Sequence, residues 1–199
     1  MSAILKNKKI LITGASRGLG EVSARALADQ EAILVLMARS EDKLQEINNS
    51  LKHPEKHSVI AVDLTDTEVL HQAVDQAVKF LGEVDVVLHI AGGGLGLRDP
   101  LLSSEEFFKL FNLNIGAAIE INKIIVPQMI QRKTGNLVHV CSIASSEATG
   151  SVGYNTVKAA LAAYVRTLGR ELAGSGIVAT GILPGGFYAP GNSWERLEE

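Results

Sequence analysis

Apolar residues collect in six short runs, and the stretches between them change period. Residues 9–13 (KILIT), 33–37 (ILVLM), 58–62 (SVIAV), 85–90 (DVVLHI), 136–141 (NLVHVC) and 177–183 (IVATGIL) are dense in Val, Ile and Leu. Short runs of that composition read as buried strands. Between them, apolar positions recur at helical spacing. Val22, Ala26 and Leu27 flank Arg25 and Asp29, and further helices are predicted over 41–51 and 67–81, the latter with Thr65 or Asp66 as N-cap. A long helix is predicted over 104–131, opened by Ser103 or Ser104 ahead of Glu105 and Glu106 in a capping-box pattern. Asn112, Asn114 and Gly116 interrupt it, and Pro127 lies inside it. The last helix carries Leu161, Ala162, Val165, Leu168 and Leu172 on one face. Loops are marked by residues 52–56 (KHPEK), by Asp99-Pro100, by Lys133-Thr134-Gly135 and by Pro184-Gly185-Gly186. His53 and His57, in and just after the first of these, are expected to face solvent. Strand–helix alternation six strands deep predicts an α/β fold: a doubly wound, mostly parallel sheet with helices on both faces.

Composition narrows the picture without redirecting it. The chain has 199 residues, 46% hydrophobic and 21% charged, which suits a single domain spanning 1–199 with a sizeable core. Nineteen basic and 22 acidic residues give a net charge of −3, so nothing favours nucleic acid or an anionic membrane surface as partner. No window approaches the ~18 uninterrupted apolar residues of a membrane span. The opening MSAILKNKK places charge close behind a short apolar start, unlike a signal peptide. A cytoplasmic protein is expected. Cys141 is the only cysteine, which excludes an internal disulfide, and no metal site is expected.

The candidate chemistry begins at the first strand. It runs straight into Gly14-Ala15-Ser16-Arg17-Gly18-Leu19-Gly20, and a helical pattern follows. Glycine permits a tight turn and a close backbone approach to phosphate. The helix start adds unpaired N–H groups and a positive dipole end. Gly14, Ser16, Arg17, Gly18, Leu19 and Gly20 are therefore candidates to hold a pyrophosphate. The second strand ends without the acid that would bond a ribose 2′-hydroxyl; Arg39 stands there, and Arg17 lies in the loop. Two guanidiniums suit a 2′-phosphate, so NADP is favoured over NAD, with Glu41 and Asp42 weighing mildly the other way. Asp63 and Leu64 end the third strand, where Asp63 is a candidate for an adenine amine. Ala91 and Gly92 follow the fourth strand and leave room for a cofactor in the crevice. Asn114 is a polar residue among Leu110, Phe111, Leu113 and Ile115, and needs a partner if buried.

Tyr154 and Lys158 are four apart on the last helix and share a face. An ammonium beside a phenol stabilises the phenolate, which makes the pair a tuned proton donor and acceptor. By itself a Tyr-x-x-x-Lys pair is more often a surface pair than a catalytic one. Ser142, just after the fifth strand, is placed to hydrogen-bond a substrate oxygen.

The ordered set of these motifs resembles the short-chain dehydrogenase/reductase family, classical type, including 3-oxoacyl-carrier-protein reductase-like members. The resemblance covers residue 9 to about 186: the TGxxxGxG shape over 13–20, the acidic Asp63, Ala91-Gly92, and Pro184-Gly185. Asn114, Ser142, Tyr154 and Lys158 fall where that family keeps its catalytic tetrad. The resemblance implies a Rossmann-like dinucleotide-binding oxidoreductase domain that interconverts a ketone and a secondary alcohol by hydride transfer. Ser142 would hold the substrate carbonyl. Tyr154 would act as general acid and base. Lys158 would assist the tyrosine and bind the nicotinamide ribose. Asn114 would hold a helix distortion and a relay water, and Pro184 and Gly185 would border the cofactor. It also implies a homodimer or homotetramer, paired through the long helix and the Ala-rich helix after Tyr154.

The chain departs from the family pattern at several points. His89-Ile90 stand where the family has an Asn pair, and Val157 replaces a small residue. Ser142 precedes Tyr154 by 12 residues, one fewer than in many members, so that Cys141 takes the usual spacing. Tyr188-Ala189 stand where a threonine often follows the PG turn. The sequence is C-terminally short against complete members, which continue into a substrate-covering segment and a further strand. A catalytically inactive cofactor-binding or scaffold protein of the same fold is the alternative reading.

Overall fold

A computed structural model describes residues 4–186; Tyr188 and Ala189 lie outside that range. Six strands form one sheet: β1 (Lys9–Thr13), β2 (Ile33–Ala38), β3 (Ser58–Ala61), β4 (Val86–His89), β5 (Gly135–Val140) and β6 (Ile177–Ile182). Their order is β3-β2-β1-β4-β5-β6, and every pairing is parallel. Parallel neighbours need crossover connections, and helices supply them. They are α1 (Gly18–Asp29), α2 (Glu41–Ser50), α3 (Thr67–Leu81), α4 (Ser104–Phe111), α5 (Ala117–Arg132) and α6 (Val152–Leu172).

Strands β1 to β4 alternate between two cores. Ile10, Ile12, Leu34 and Leu36 pack with Ala24, Ala28, Leu44 and Ile47 of α1 and α2. Leu11, Val35, Met37, Val87 and Leu137 face the other way, onto Leu70 and Val74 of α3 and Ile121, Ile125 and Met129 of α5. A smaller cluster of Leu110, Ile115, Cys141, Val157, Leu161 and Val165 seats α6 against the α4–α5 junction. With apolar residues on both faces, the central strands read as unbroken hydrophobic runs, which is why they were visible in the sequence. The helix ends follow their caps. Asp66 accepts from Val69 N to start α3, and Ser103 and Glu106 close a reciprocal capping box at α4.

The interruption expected at Asn112, Asn114 and Gly116 takes a definite form, and one residue, His57, departs from expectation. The long helix divides: a five-residue π segment, Asn112–Gly116, separates α4 from α5. His57 is buried rather than solvent-facing, at 7% exposure. Its Nδ1 accepts from Leu34 N at 3.2 Å, and its Nε2 pairs with Lys52 O at 3.0 Å. A neutral ring with its proton on Nε2 satisfies both, so the residue ties the 52–57 loop to the edge of β2. Burial pushes its pKa below the ordinary histidine value.

Candidate active site

The strand order reverses between β1 and β4, so the connections leaving these two strands diverge to opposite faces and open a crevice at their carboxyl ends. One wall is the glycine loop. Gly14 has φ +70°, and a Cβ there would sit 2.8 Å from Ala91 N. A Cβ on Gly20 would come within 2.0 Å of Gly14 O, so only glycine lets α1 start this close beneath the turn. Ser16, Arg17, Gly18 and Leu19 lie between these two contacts, and α1 begins at Gly18 with its free N–H groups at the crevice. Arg17 and Arg39 are both exposed at this end of the sheet. Asp63 folds back on its own loop: Oδ1 accepts from Thr65 N at 2.9 Å and Thr65 Oγ at 2.7 Å, which holds its carboxyl below the usual range. Leu64 beside it is buried in the core. This cradle of glycine backbone and helix N–H groups fits a dinucleotide diphosphate.

The other wall is built around Asn114, which is 3% exposed. Its Nδ2 donates to Leu110 O and to Gly93 O, both at 2.9 Å, and its Oδ1 accepts from Gly93 N at 3.0 Å. Leu110 O is the carbonyl that an α-helix gives to the backbone N–H of residue 114. With the side chain taking it, the helix widens locally into the π segment. The same amide clamps both backbone groups of Gly93, so one residue shapes the helix and fixes the loop after β4.

Lys158 reaches the same point from α6. It is 3% exposed, and its Nζ donates to Val140 O at 2.9 Å. Burial lowers its pKa from 10.5 to about 8. A Cβ on Gly92 would fall 2.7 Å from Asn114 Oδ1 and 3.2 Å from Lys158 Nζ, so Gly92, Asn114 and Lys158 converge. Tyr154 lies one turn earlier on α6, with Lys158 Nζ 5.7 Å from its ring centroid, inside cation–π range. Tyr154 also lies beside Gly94, where an added Cβ would stand 3.8 Å from Tyr154 Cβ, an ordinary contact. Ser142 is half-buried at the end of β5, its Oγ accepting from Ala144 N at 3.1 Å. Cys141 points the other way, buried in the α4–α6 cluster with its thiol pushed up in pKa by burial. Of the two, Cys141 is committed to the core, and Ser142 is the one left half-buried at the strand end. Pro184 O accepts from Ile143 N at 3.2 Å, which brings Pro184-Gly185 beside the Ser142 turn.

Of four polar residues beneath this site, Asn122, His139 and Tyr164 went unread in the sequence, and His89 was read only as a departure from the family pattern. His89 pairs through Nε2 with Asn122 Oδ1 at 2.9 Å, and Asn122 Nδ2 donates to Tyr164 Oη at 3.1 Å. His139 stacks on His89 with ring centroids 4.4 Å apart and meets the Tyr164 ring edge-on at 5.9 Å. Burial lowers His89 to a pKa of about 4 and takes His139 far below the ordinary value, so both rings are neutral. The signal available was two histidines each inside an apolar strand. Among the described residues no cluster of metal-ligating side chains occurs, and no helix is long and apolar enough to cross a membrane.

Comparison with known proteins agrees with this fold. A family profile described as short chain dehydrogenase matches residues 8–198. Ketoacyl reductase HetN of Nostoc sp. (strain PCC 7120) is 34% identical over 184 residues, which are 91% of this chain and 64% of that protein. This chain therefore spans just under two thirds of that relative's length. L-sorbose reductase from Gluconobacter frateurii, solved with NADPH and L-sorbose, superposes with a TM-score of 0.88 at 30% identity, over 96% of this chain and 73% of that one. An NAD+-bound xylitol dehydrogenase superposes with a TM-score of 0.88 at 26% identity, over 98% and 75%.

Proposed function

This chain belongs to the short-chain dehydrogenase/reductase family, and from that premise we propose that it interconverts a ketone and a secondary alcohol, using NADP in preference to NAD. The carrying observation is Lys158: an ammonium buried at the crevice, lowered to about 8, and lying between Gly92, Asn114 and the Tyr154 ring. Burying a lysine there costs stability, and a proton site beside a phenol is the return.

The Ser142 hydroxyl holds the substrate oxygen. Tyr154 gives its proton to that oxygen in the reductive direction and takes it back in the oxidative one. Lys158 stabilises the phenolate left behind and, with a pKa near the working range, exchanges its own proton readily. Asn114 fixes the Gly93 loop and the π segment on which the pocket rests. When bound, the nicotinamide supplies or accepts the hydride. Gly14, Ser16, Arg17, Gly18, Leu19 and Gly20 would hold the diphosphate, Arg39 with Arg17 the 2′-phosphate, and Asp63 and Leu64 the adenine. Ala91, Gly92, Tyr154, Lys158, Pro184 and Gly185 would border the nicotinamide end.

The substrate is a small-molecule carbonyl or alcohol: a 3-oxoacyl thioester, a sugar or polyol, or a biosynthetic ketone, with residues 93–102 lining its pocket. The names of the relatives span the same classes. The protein acts in the cytoplasm as a homodimer or homotetramer, paired through α5 and α6. One observation favours the inactive alternative: His89, in a position the family gives to asparagine, turns its Nε2 to Asn122 in the core.

NADPH oxidation with a ketone panel decides between them. The proposed enzyme turns over at least one ketone and loses that turnover in Tyr154→Phe while still binding NADPH. Intact NADPH binding with no turnover on any ketone favours the scaffold. Equal affinities for NADH and NADPH refute the cofactor preference, and sedimentation as a monomer alone refutes the oligomer.

A further inference from the structure

A small cavity lies under the catalytic floor, between the carboxyl ends of β1, β4 and β5 and the π segment. Its lining includes Thr13, His89, Ala91, Asn114, Ile121 and His139, but not Lys158, and about 10 Å³ of it is open to the centre of a water molecule. One water needs roughly that much, about 10–15 Å³, together with two or more polar partners.

The partners are present. His139 is 0% exposed, and neither of its ring nitrogens has a hydrogen-bond partner among the described residues. A neutral imidazole carries one donor and one acceptor, and leaving both unpaired in the core is costly. The ring cannot turn outward to find solvent, because His89 stacks on its face and Tyr164 meets it edge to ring. Thr13 is 2% exposed and lines the same cavity. Its Oγ accepts from Ile90 N at 3.2 Å and from Ala91 N at 3.3 Å, which uses both lone pairs and leaves the hydroxyl hydrogen to donate.

We propose that Thr13 and His139 hold one water in this cavity, and that His139 is through it a positioning residue for the cofactor floor. The water accepts from the Thr13 hydroxyl and donates to one His139 nitrogen. That bond fixes the hydroxyl with its lone pairs on Ile90 N and Ala91 N. Those two amides begin the Ala91–Gly92–Gly93 floor, and Ala91 N is also the atom against which Gly14 of the nucleotide loop packs. His139 is adjacent to Val140, whose carbonyl holds Lys158. The water thus joins the ends of three strands where cofactor cradle and proton site meet. A charged His139 would be repelled by Lys158, and burial keeps the ring neutral.

The nucleotide arm of the test rests on the function proposed above; the water arm does not. A high-resolution crystal structure of the wild-type protein is expected to show a water within about 2.7–3.2 Å of both a His139 nitrogen and Thr13 Oγ. His139→Leu removes donor and acceptor, and its NADPH dissociation constant is expected to rise about 2- to 12-fold, one hydrogen bond's worth. His139→Gln keeps both groups and is expected to bind as the wild type does. A dry cavity overturns the proposal, as does a His139→Leu protein that binds NADPH unchanged. If the wild type binds no nucleotide, the function reading fails. Wild-type density and the melting temperature of His139→Leu then decide this one: lowered for a bridged water, raised for an unsatisfied ring. Should His139→Leu not fold, the wild-type density decides alone.

Discussion

Replacing Lys158 by Met asks whether the proton site is held at the expense of the fold. The side chains are similar in length, so packing against Val140 and Gly92 changes little. Burial lowers Lys158 from 10.5 to about 8, a difference worth about 3 kcal/mol against the folded ammonium. The hydrogen bond from Nζ to Val140 O at 2.9 Å works the other way; bonds from charged groups contribute about 1.5–3 kcal/mol. The net gain for Lys158→Met at pH 7 is then on the order of 1 kcal/mol, or about 2–4 °C in melting temperature for a chain of this size. The sign with pH follows from the lowered value. Below about pH 8 the lysine is charged in both folded and unfolded chains, and the burial cost is fully present. Between about pH 8 and 10.5 the folded chain has released the proton while the unfolded chain still holds it, so wild-type stability rises with pH. Thermal unfolding of both proteins at pH 7 and at pH 10 reads this directly. The variant should be the more stable at pH 7, with its advantage gone at pH 10 and its ketone reduction lost throughout. A variant less stable at pH 7, or a difference that does not move across the window, would refute the reasoning.

Four further outcomes are expected. Burial lowers His57, His89 and His139 below the ordinary histidine value, His89 to about 4; because the unfolded histidines protonate first, stability is intact above pH 6.5 and falls below it, which urea midpoints between pH 8 and pH 4 will show. Asn114→Ala removes three hydrogen bonds, one buried and two partly buried, so denaturant titration should register a loss of about 2–3 kcal/mol, at about 1 kcal/mol each, along with reduced turnover. Gly20→Ala puts a methyl 2.0 Å from Gly14 O, and NADPH binding measured by fluorescence should collapse even where circular dichroism keeps its helical signal. Arg39→Asp should reverse the nucleotide preference, weakening NADPH and strengthening NADH in parallel titrations; unchanged NADPH affinity would remove Arg39 from the 2′-phosphate site.

The fold was legible because the central strands are buried on both faces and the glycine loop joins strand to helix in consecutive residues. The π segment was legible as an interruption and, through the family resemblance, as a helix distortion at Asn114. Asn114 stood out as polar among apolar neighbours, but its effect depends on its amide taking the Leu110 carbonyl, a competition between side chain and backbone that composition does not record. His57 was misread because its neighbours are polar; its partners, Leu34 N and Lys52 O, are a strand edge 23 residues away and a backbone carbonyl. His89 and His139 are the sharper case. Each alone is a polar residue in an apolar strand, and His89 counted as a departure from the family pattern. Parallel register places them directly opposite each other on β4 and β5, and register is a property of two strands that neither strand carries alone. Once paired, the two rings cease to be separate anomalies. Both line the cavity that Ala91 also borders, one bonded to Asn122 and the other facing the cavity with Thr13. The His139 variants therefore measure whether the polar support proposed for the cofactor floor lies in the sheet.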